Sequence, residues 1–147
     1  MSDPLRRRLA ARLARVSGAS LCATLVLCTT ASAALPQDLL RDYEARARAQ
    51  SQAYAGVSAE RGALLFRSPQ GREWSCASCH GESPLTAGRH AKTGKTIAPL
   101  APSANPQRFT DPAQVEKWFK RNCADVLGRE CTPAEKGDVL AWLASLR

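Results

Sequence analysis

The sequence contains a single methionine, and it is the first residue. No thioether is therefore available to hold a metal anywhere in the body of the chain. Histidine is nearly as scarce, represented by His80 and His90. Aromatic residues make up only 5% of the chain, and no basic stripe interleaved with aromatics points to nucleic acid. No segment sustains the two-residue alternation that builds a half-buried sheet, and no internal repeat is present. The expected fold class is therefore all-α. A long hydrophobic run is missing too, and that bears on the first residues.

Arg6, Arg7, Arg8, Arg12 and Arg15 form a positive stretch, followed by an apolar run from Ala19 to Cys28. Ala31-Ser32-Ala33 then supplies the small residues that a signal peptidase accepts. The apolar run covers about ten residues, too few for a permanent helix across a hydrocarbon layer of roughly 30 Å. An amphipathic surface helix would need polar residues among Leu21–Cys28, where there are almost none. A lipoprotein signal would need a small residue before Cys28, where Val26-Leu27 stand instead. The reading is a cleaved signal peptide over residues 1–33, a periplasmic destination and no permanent membrane anchor.

Removing that leader leaves 16 basic and 12 acidic side chains, a net charge near +4 with the signs interspersed. Such a surface can dock an acidic partner protein. Four cysteines remain, Cys76, Cys79, Cys123 and Cys131. In an oxidising compartment none of them should stay a free thiol without a reason.

Leu39, Leu40, Tyr43, Ala47 and Tyr54 recur at helical spacing and predict a helix over Asp38–Ala55, broken by Gly56. A second helix starts at Ser58 and ends at Ser68-Pro69-Gln70-Gly71. Residues 34–57 thus form an N-terminal extension helix, and 58–147 form the main domain. From Gly81 to Phe109 the chain is rich in Gly, Pro, Ser and Thr and reads as loop. Two capped helices follow. Asp111-Pro112-Ala113-Gln114 offers an N-cap acid, a proline at the first helical position and a Gln able to close a capping box. Thr132-Pro133-Ala134-Glu135 repeats the device before a last helix with Val139, Trp142, Leu143 and Leu146 as its apolar stripe. So long a loop in so small a domain makes sense if it wraps around something.

Cys76-Ala77-Ser78-Cys79-His80 says what that is. Two thiols at this spacing can add across the two vinyl groups of a haem, while the adjacent imidazole reaches the iron from one face. A thioredoxin-like pair would need a βαβ context, which the chain lacks. A zinc site could recruit Cys123 and Cys131, but their seven-residue separation is not knuckle spacing. One covalently bound haem c is expected, with Cys76, Cys79 and His80 as its attachment and axial residues.

Gly62, Phe66, the CxxCH motif and a C-terminal helix bearing Trp142 together resemble the class I cytochromes c. The resemblance implies a class I fold in which Gly62 packs against Trp142. It also puts Pro99, or a nearby loop carbonyl, in position to accept the His80 Nδ1–H.

The sixth iron ligand is the open question. With no methionine available, the candidates are His90, Asn105, Asn122, a lysine, a tyrosine or water. His90 lies only ten residues after His80 in the basic stretch Arg89-His90-Ala91-Lys92, and an exposed histidine is its plainer reading. Asn122, 42 residues after His80, suits a group on the far side. It also reads as a helix-capping asparagine beside an ordinary disulfide. Cys123 and Cys131 can close a short loop through Gly128, worth roughly 2.5 kcal/mol in the chain-entropy picture.

Lys120-Arg121-Asn122-Cys123, then Gly128-Arg129-Glu130-Cys131-Thr132-Pro133, closely resembles the SHP family of oxygen-binding class I cytochromes c. Ser58-Ala59-Glu60-Arg61-Gly62 and the extra upstream helix match it as well. The resemblance implies Asn122 as axial ligand and functional residue, flanked by a Cys123–Cys131 disulfide. It further implies a dihaem cytochrome c and a membrane cytochrome b as electron donors. Reduction would release the weak amide ligand and open ferrous iron to O₂, NO or CO, with turnover of O₂ or nitrogen oxides as the enzymatic extension. A plain electron carrier with a closed six-coordinate haem is the alternative.

Overall fold

Side-chain caps set where the helices start. The computed structural model describes residues 36–147, so the leader expected over 1–33 lies outside the described residues. The elements are α1 (Pro36–Gln50), α2 (Ala59–Arg67), α3 (Ala77–His80), β1 (Gly88–Arg89), β2 (Thr96–Ile97), α4 (Pro112–Leu127) and α5 (Pro133–Ser145). Ser58 Oγ accepts the Arg61 N–H at the start of α2. The Asp111 carboxylate accepts the Ala113 and Gln114 N–H groups at the start of α4, without the return bond from Gln114 that a capping box requires. At α5 the box is complete, with Thr132 and Glu135 satisfying each other's backbone donors. Two bonds from the Arg129 guanidinium, 2.7 and 2.8 Å long, hold Glu135 in that role. α4 ends at Gly128, in the left-handed region at φ +72°, with its N–H on the Ala124 carbonyl. An L side chain is disfavoured there.

α1 stops at Gln50 rather than running to Ala55. Ser51 accounts for the early stop. Its hydroxyl accepts the Ala53 N–H and its carbonyl accepts from Tyr54, offering the backbone a turn in place of another helical bond. The segment 81–109 is loop, as its composition predicts, except for the two-residue antiparallel ladder Gly88↔Ile97 and Arg89↔Thr96. Alternation cannot reveal a ladder that short. It folds the loop back against α3.

α5 is the central element. Every residue from Lys136 to Leu140 is buried, as are Trp142 and Leu143, and both α1 and α2 pack against it. One cluster joins Phe66, Ala77, Val139, Trp142 and Leu143, and a second joins Leu39, Tyr43, Val115 and Leu140. Phe109 and Phe119 touch both. The extension helix α1 therefore shares the core, through Leu39, Tyr43 and Ala47. No helix among the described residues is long and apolar enough to cross a membrane.

At the crossing of α2 and α5 two contacts stand out. A methyl group on Gly62 would sit 2.0 Å from the Asp138 carbonyl oxygen, so α2 meets the bare backbone of α5 at that point. Trp142 packs on Phe66, one helical turn further on, with ring centroids 4.8 Å apart. Asp138, 5% exposed, accepts from the Ser58 N–H and from the Arg61 guanidinium, which locks the crossing. Across the other groove, Glu116 of α4 bridges Arg46 of α1 and buried Lys136 of α5, each at 2.6 Å.

Two outcomes follow for stability. Gly62→Ala must push α2 off α5, because the obstacle is backbone, and should cost about 3 kcal/mol in urea unfolding of the haem-loaded protein. Burial raises the Glu116 pKa, but hydrogen bonds and charge from Lys136 and Arg46 outweigh it, so the net direction is down. A depressed carboxylate stabilises the fold above its unfolded value of 4.5, and that stability is lost as pH falls below it. Glu116→Gln should flatten the acid limb of unfolding midpoint against pH. A residual slope should remain from Glu135, which Arg129 shifts in the same direction.

Candidate haem site

One helical turn gathers the chemistry of the CxxCH motif. The Cys79 and His80 N–H groups both bond the Cys76 carbonyl, and Gly81 N–H bonds that of Ala77. The Ser75 N–H donates to Ser78 Oγ at 3.0 Å and closes the turn from the front. Residues spaced i, i+3 and i+4 on a helix share a face. Cys76, Cys79 and His80 accordingly line one cavity of about 470 Å³. Phe66 of α2, Leu143 of α5 and Phe119 of α4 supply apolar walls.

Asn122 lines the same cavity from the C-terminal part of α4. Its carboxamide makes no hydrogen bond among the described residues. The next residue, Cys123, is bonded to Cys131, with Cα atoms 5.6 Å apart, which ties this turn of α4 to the residue before the α5 cap. Cys123 and Cys131 are thereby withdrawn from any zinc site, and no group of three His, Cys, Asp or Glu able to hold a metal occurs among the described residues.

The other candidate ligands separate cleanly. Asn105 donates to the Pro99 carbonyl and accepts from Gln107 N–H, holding the loop, and it does not line the cavity. Neither Tyr43 nor Tyr54 lines it. Lys92 does, with its ammonium 4.6 Å from the centre of the Trp74 ring. His90 also reaches the cavity and is half-buried rather than exposed. Its Nδ1 accepts from the Lys92 and Thr93 N–H groups, leaving Nε2 as its free nitrogen. Ala91 N–H rests on Cys79 Sγ, so this part of the loop lies beside the attachment turn.

Burial pushes the His80 pKa down to about 4, with the charges of Arg108 and His90 adding to the effect. The imidazole is therefore neutral at ordinary pH, with a lone pair to donate. Burial likewise pushes the Cys76 thiol up to about 11. The carbonyl expected to orient His80 is otherwise engaged. Pro99 accepts from Asn105 Nδ2 at 3.2 Å and from Arg108 Nε at 2.9 Å.

Arg108 itself was not legible in the sequence. It also donates to the Ala98 carbonyl, has no carboxylate partner among the described residues, and burial lowers its pKa. Phe109 next to it lines the cavity with a backbone φ of +62°, rare for an aromatic residue. No local motif announces either residue.

Two free thiols and a neutral imidazole on one turn, an apolar cavity within the range of cofactor pockets and an unengaged amide on another wall fit a haem. The comparisons agree. A family model described as a domain of unknown function (DUF1924) matches residues 52–143. The Cytochrome c-type protein SHP of Cereibacter sphaeroides is 54% identical over 114 residues, which cover 75% of this chain and 83% of that protein. The chain belongs to the SHP family of cytochromes c. The solved structure of oxidised SHP, described as an oxygen-binding cytochrome c, superposes with a TM-score of 0.68 at 52% identity, covering 76% of this chain and 97% of that one. The solution structure of cytochrome c'' from Methylophilus methylotrophus gives 0.66 at 37% identity, covering 76% and 93%. It is described as giving insight into the structural basis of haem-ligand detachment. Like these SHP-type relatives, the protein is a cytochrome c carrying one covalently bound haem c on an all-α fold.

Arg108 lines the haem cavity with no carboxylate partner among the described residues, and a positive charge there favours the ferrous state. Replacing it with glutamine should lower the midpoint potential by on the order of 60 mV, a tenfold change in a one-electron equilibrium. Spectroelectrochemical titration of both proteins measures it.

Proposed function

We propose that this cytochrome is a periplasmic, electron-fed protein that takes up O₂, or NO or CO, at ferrous haem once Asn122 gives way. The observation that carries the reading is the Asn122 carboxamide, which lines the cavity without a hydrogen bond to hold it. When bound, the haem supplies a redox-active iron with a sixth coordination position. In this reading Cys76 and Cys79 would hold the group as thioethers, and His80 would donate a neutral imidazole to its iron.

Asn122 provides a neutral amide oxygen, a hard and weak donor suited to ferric iron and poorly suited to ferrous. Its backbone is tied by Cys123–Cys131, while its side chain has no hydrogen-bond partner among the described residues. Lining the same cavity, the Asn122 amide NH₂ would be available to donate a hydrogen bond to a diatomic ligand. Distal donors and steric access are what separate gas binding from plain electron transfer. A relative described as oxygen-binding and another described for haem-ligand detachment both support the reading. The leader expected over 1–33 from its charged stretch, apolar run and small residues supports the periplasmic location. The family resemblance supports a dihaem cytochrome c and a membrane cytochrome b as donors.

One observation favours a second reading. His90 reaches the same cavity with Nε2 free, so a closed, histidine-held electron carrier has a ligand at hand. Absorption spectra of the exported protein, oxidised, reduced and reduced under CO, separate the two. The gas-binding reading expects five-coordinate ferrous haem and a rapid CO shift of the Soret band. A low-spin ferrous spectrum indifferent to CO selects the electron carrier. Asn122→Ala should keep the haem attached but turn the ferric iron high-spin. A low-spin ferric spectrum unchanged in that variant removes Asn122 from the iron.

A further inference from the structure

α4 contributes an unusual wall to the haem cavity. Gln114, Trp118, Arg121 and Asp125 follow one another at intervals of four, three and four residues, which places them on one helical stripe. All four line the cavity, and all four are exposed to solvent. The mouth of the haem cavity therefore opens along this stripe.

Trp118 stands in the middle of it, 46% exposed and the largest exposed apolar side chain among the described residues. The Lys117 ammonium and Arg121 guanidinium lie 5.9 and 5.7 Å from its ring centre. Neither cation has an acidic partner among the described residues. Lys120, on the same helix, is paired with Glu130 at 3.4 Å, and Asp125 is the stripe's one acid, a turn beyond Arg121. The face is thus an aromatic centre flanked by two uncompensated positive charges at the edge of the cofactor site.

We infer that this Trp118 face docks the acidic surface of a protein electron donor. The inference rests on the reading that the haem is fed by protein-borne electrons, and it names the place where they arrive. Three features favour it. Exposed tryptophan and arginine are the side chains most often found at the energetic centre of a protein interface. Two unpaired cations complement an acidic partner and steer its approach. A donor seated here would stand at the edge of the cavity that the haem would fill, and close approach is what electron transfer requires. The other large exposed apolar residues, Val57 and Leu64, do not line the cavity.

The test uses haem-loaded full-length protein and two one-electron reductants in flash photolysis: reduced flavodoxin, an acidic protein, and lumiflavin semiquinone, a small neutral molecule. With flavodoxin, the wild-type rate should fall steeply as salt rises. Lys117→Glu/Arg121→Glu should slow it by about tenfold or more at low salt, within the span that electrostatic steering provides. Trp118→Ser should slow it several-fold, and lumiflavin should reduce wild type and the single variant Lys117→Glu, whose side chain does not line the cavity, alike. An unchanged flavodoxin rate in the double variant overturns the inference. So does an equal loss with both reductants, which would place the effect at the haem. Binding of wild type but not the double variant to phosphatidylglycerol vesicles, with the flavodoxin rate unchanged, would give the face to a membrane surface instead. CO uptake by the same samples reports on Asn122 release separately, so loss of that reading leaves the docking result standing.

Discussion

The approach of α2 to α5 at Gly62 is the constraint on which the other features depend. Two helices usually keep their axes apart by the width of their side chains. Here a residue without one lets α2 rest on the Asp138 carbonyl and the Val139 nitrogen. The close crossing sets Phe66 against Trp142, and Phe66 with Leu143 forms one wall of the haem cavity. It also brings the start of α2 within reach of Asp138, whose carboxylate would be costly to bury alone and is satisfied by Ser58 and Arg61. The crossing, the buried acid and the cavity wall are one arrangement.

The site built on that frame is asymmetric in its chemistry. On the α3 side everything is fixed: a closed turn, a hairpin folded onto it, and an imidazole kept neutral by burial and by the positive charge of Arg108. On the α4 side the backbone is fixed and the side chain is not. Cys123–Cys131 pins the last turns of α4 to the α5 cap, and the Asn122 amide is left unengaged.

The same helix serves two surfaces. Its inner side carries Val115 and Phe119 into the core, and Glu116 ties it to α1 and α5. Its outer stripe opens the cavity to solvent beside Trp118. Small domains gain much of their economy this way, since one helix positions a ligand, closes a core and presents a face.

What could be read from the sequence alone was whatever is encoded over a few neighbouring residues. Asp111-Pro112 and Thr132-Pro133 mark their helices because a cap is a bond between a side chain and the next turn. Cys76, Cys79 and His80 fall on one face because the helical period alone fixes their relation. The missing methionine excluded a common iron ligand by composition. Tertiary structure decided the pairings between distant residues: Gly62 with the Asp138 backbone, Pro99 with Arg108 and Asn105, His90 drawn toward the cavity, and Phe109 at a positive φ. No local pattern records them, because each depends on which surfaces the packed helices bring within a hydrogen bond or a van der Waals contact. Periodicity tells which side of a helix is buried, and only the assembled core tells against what.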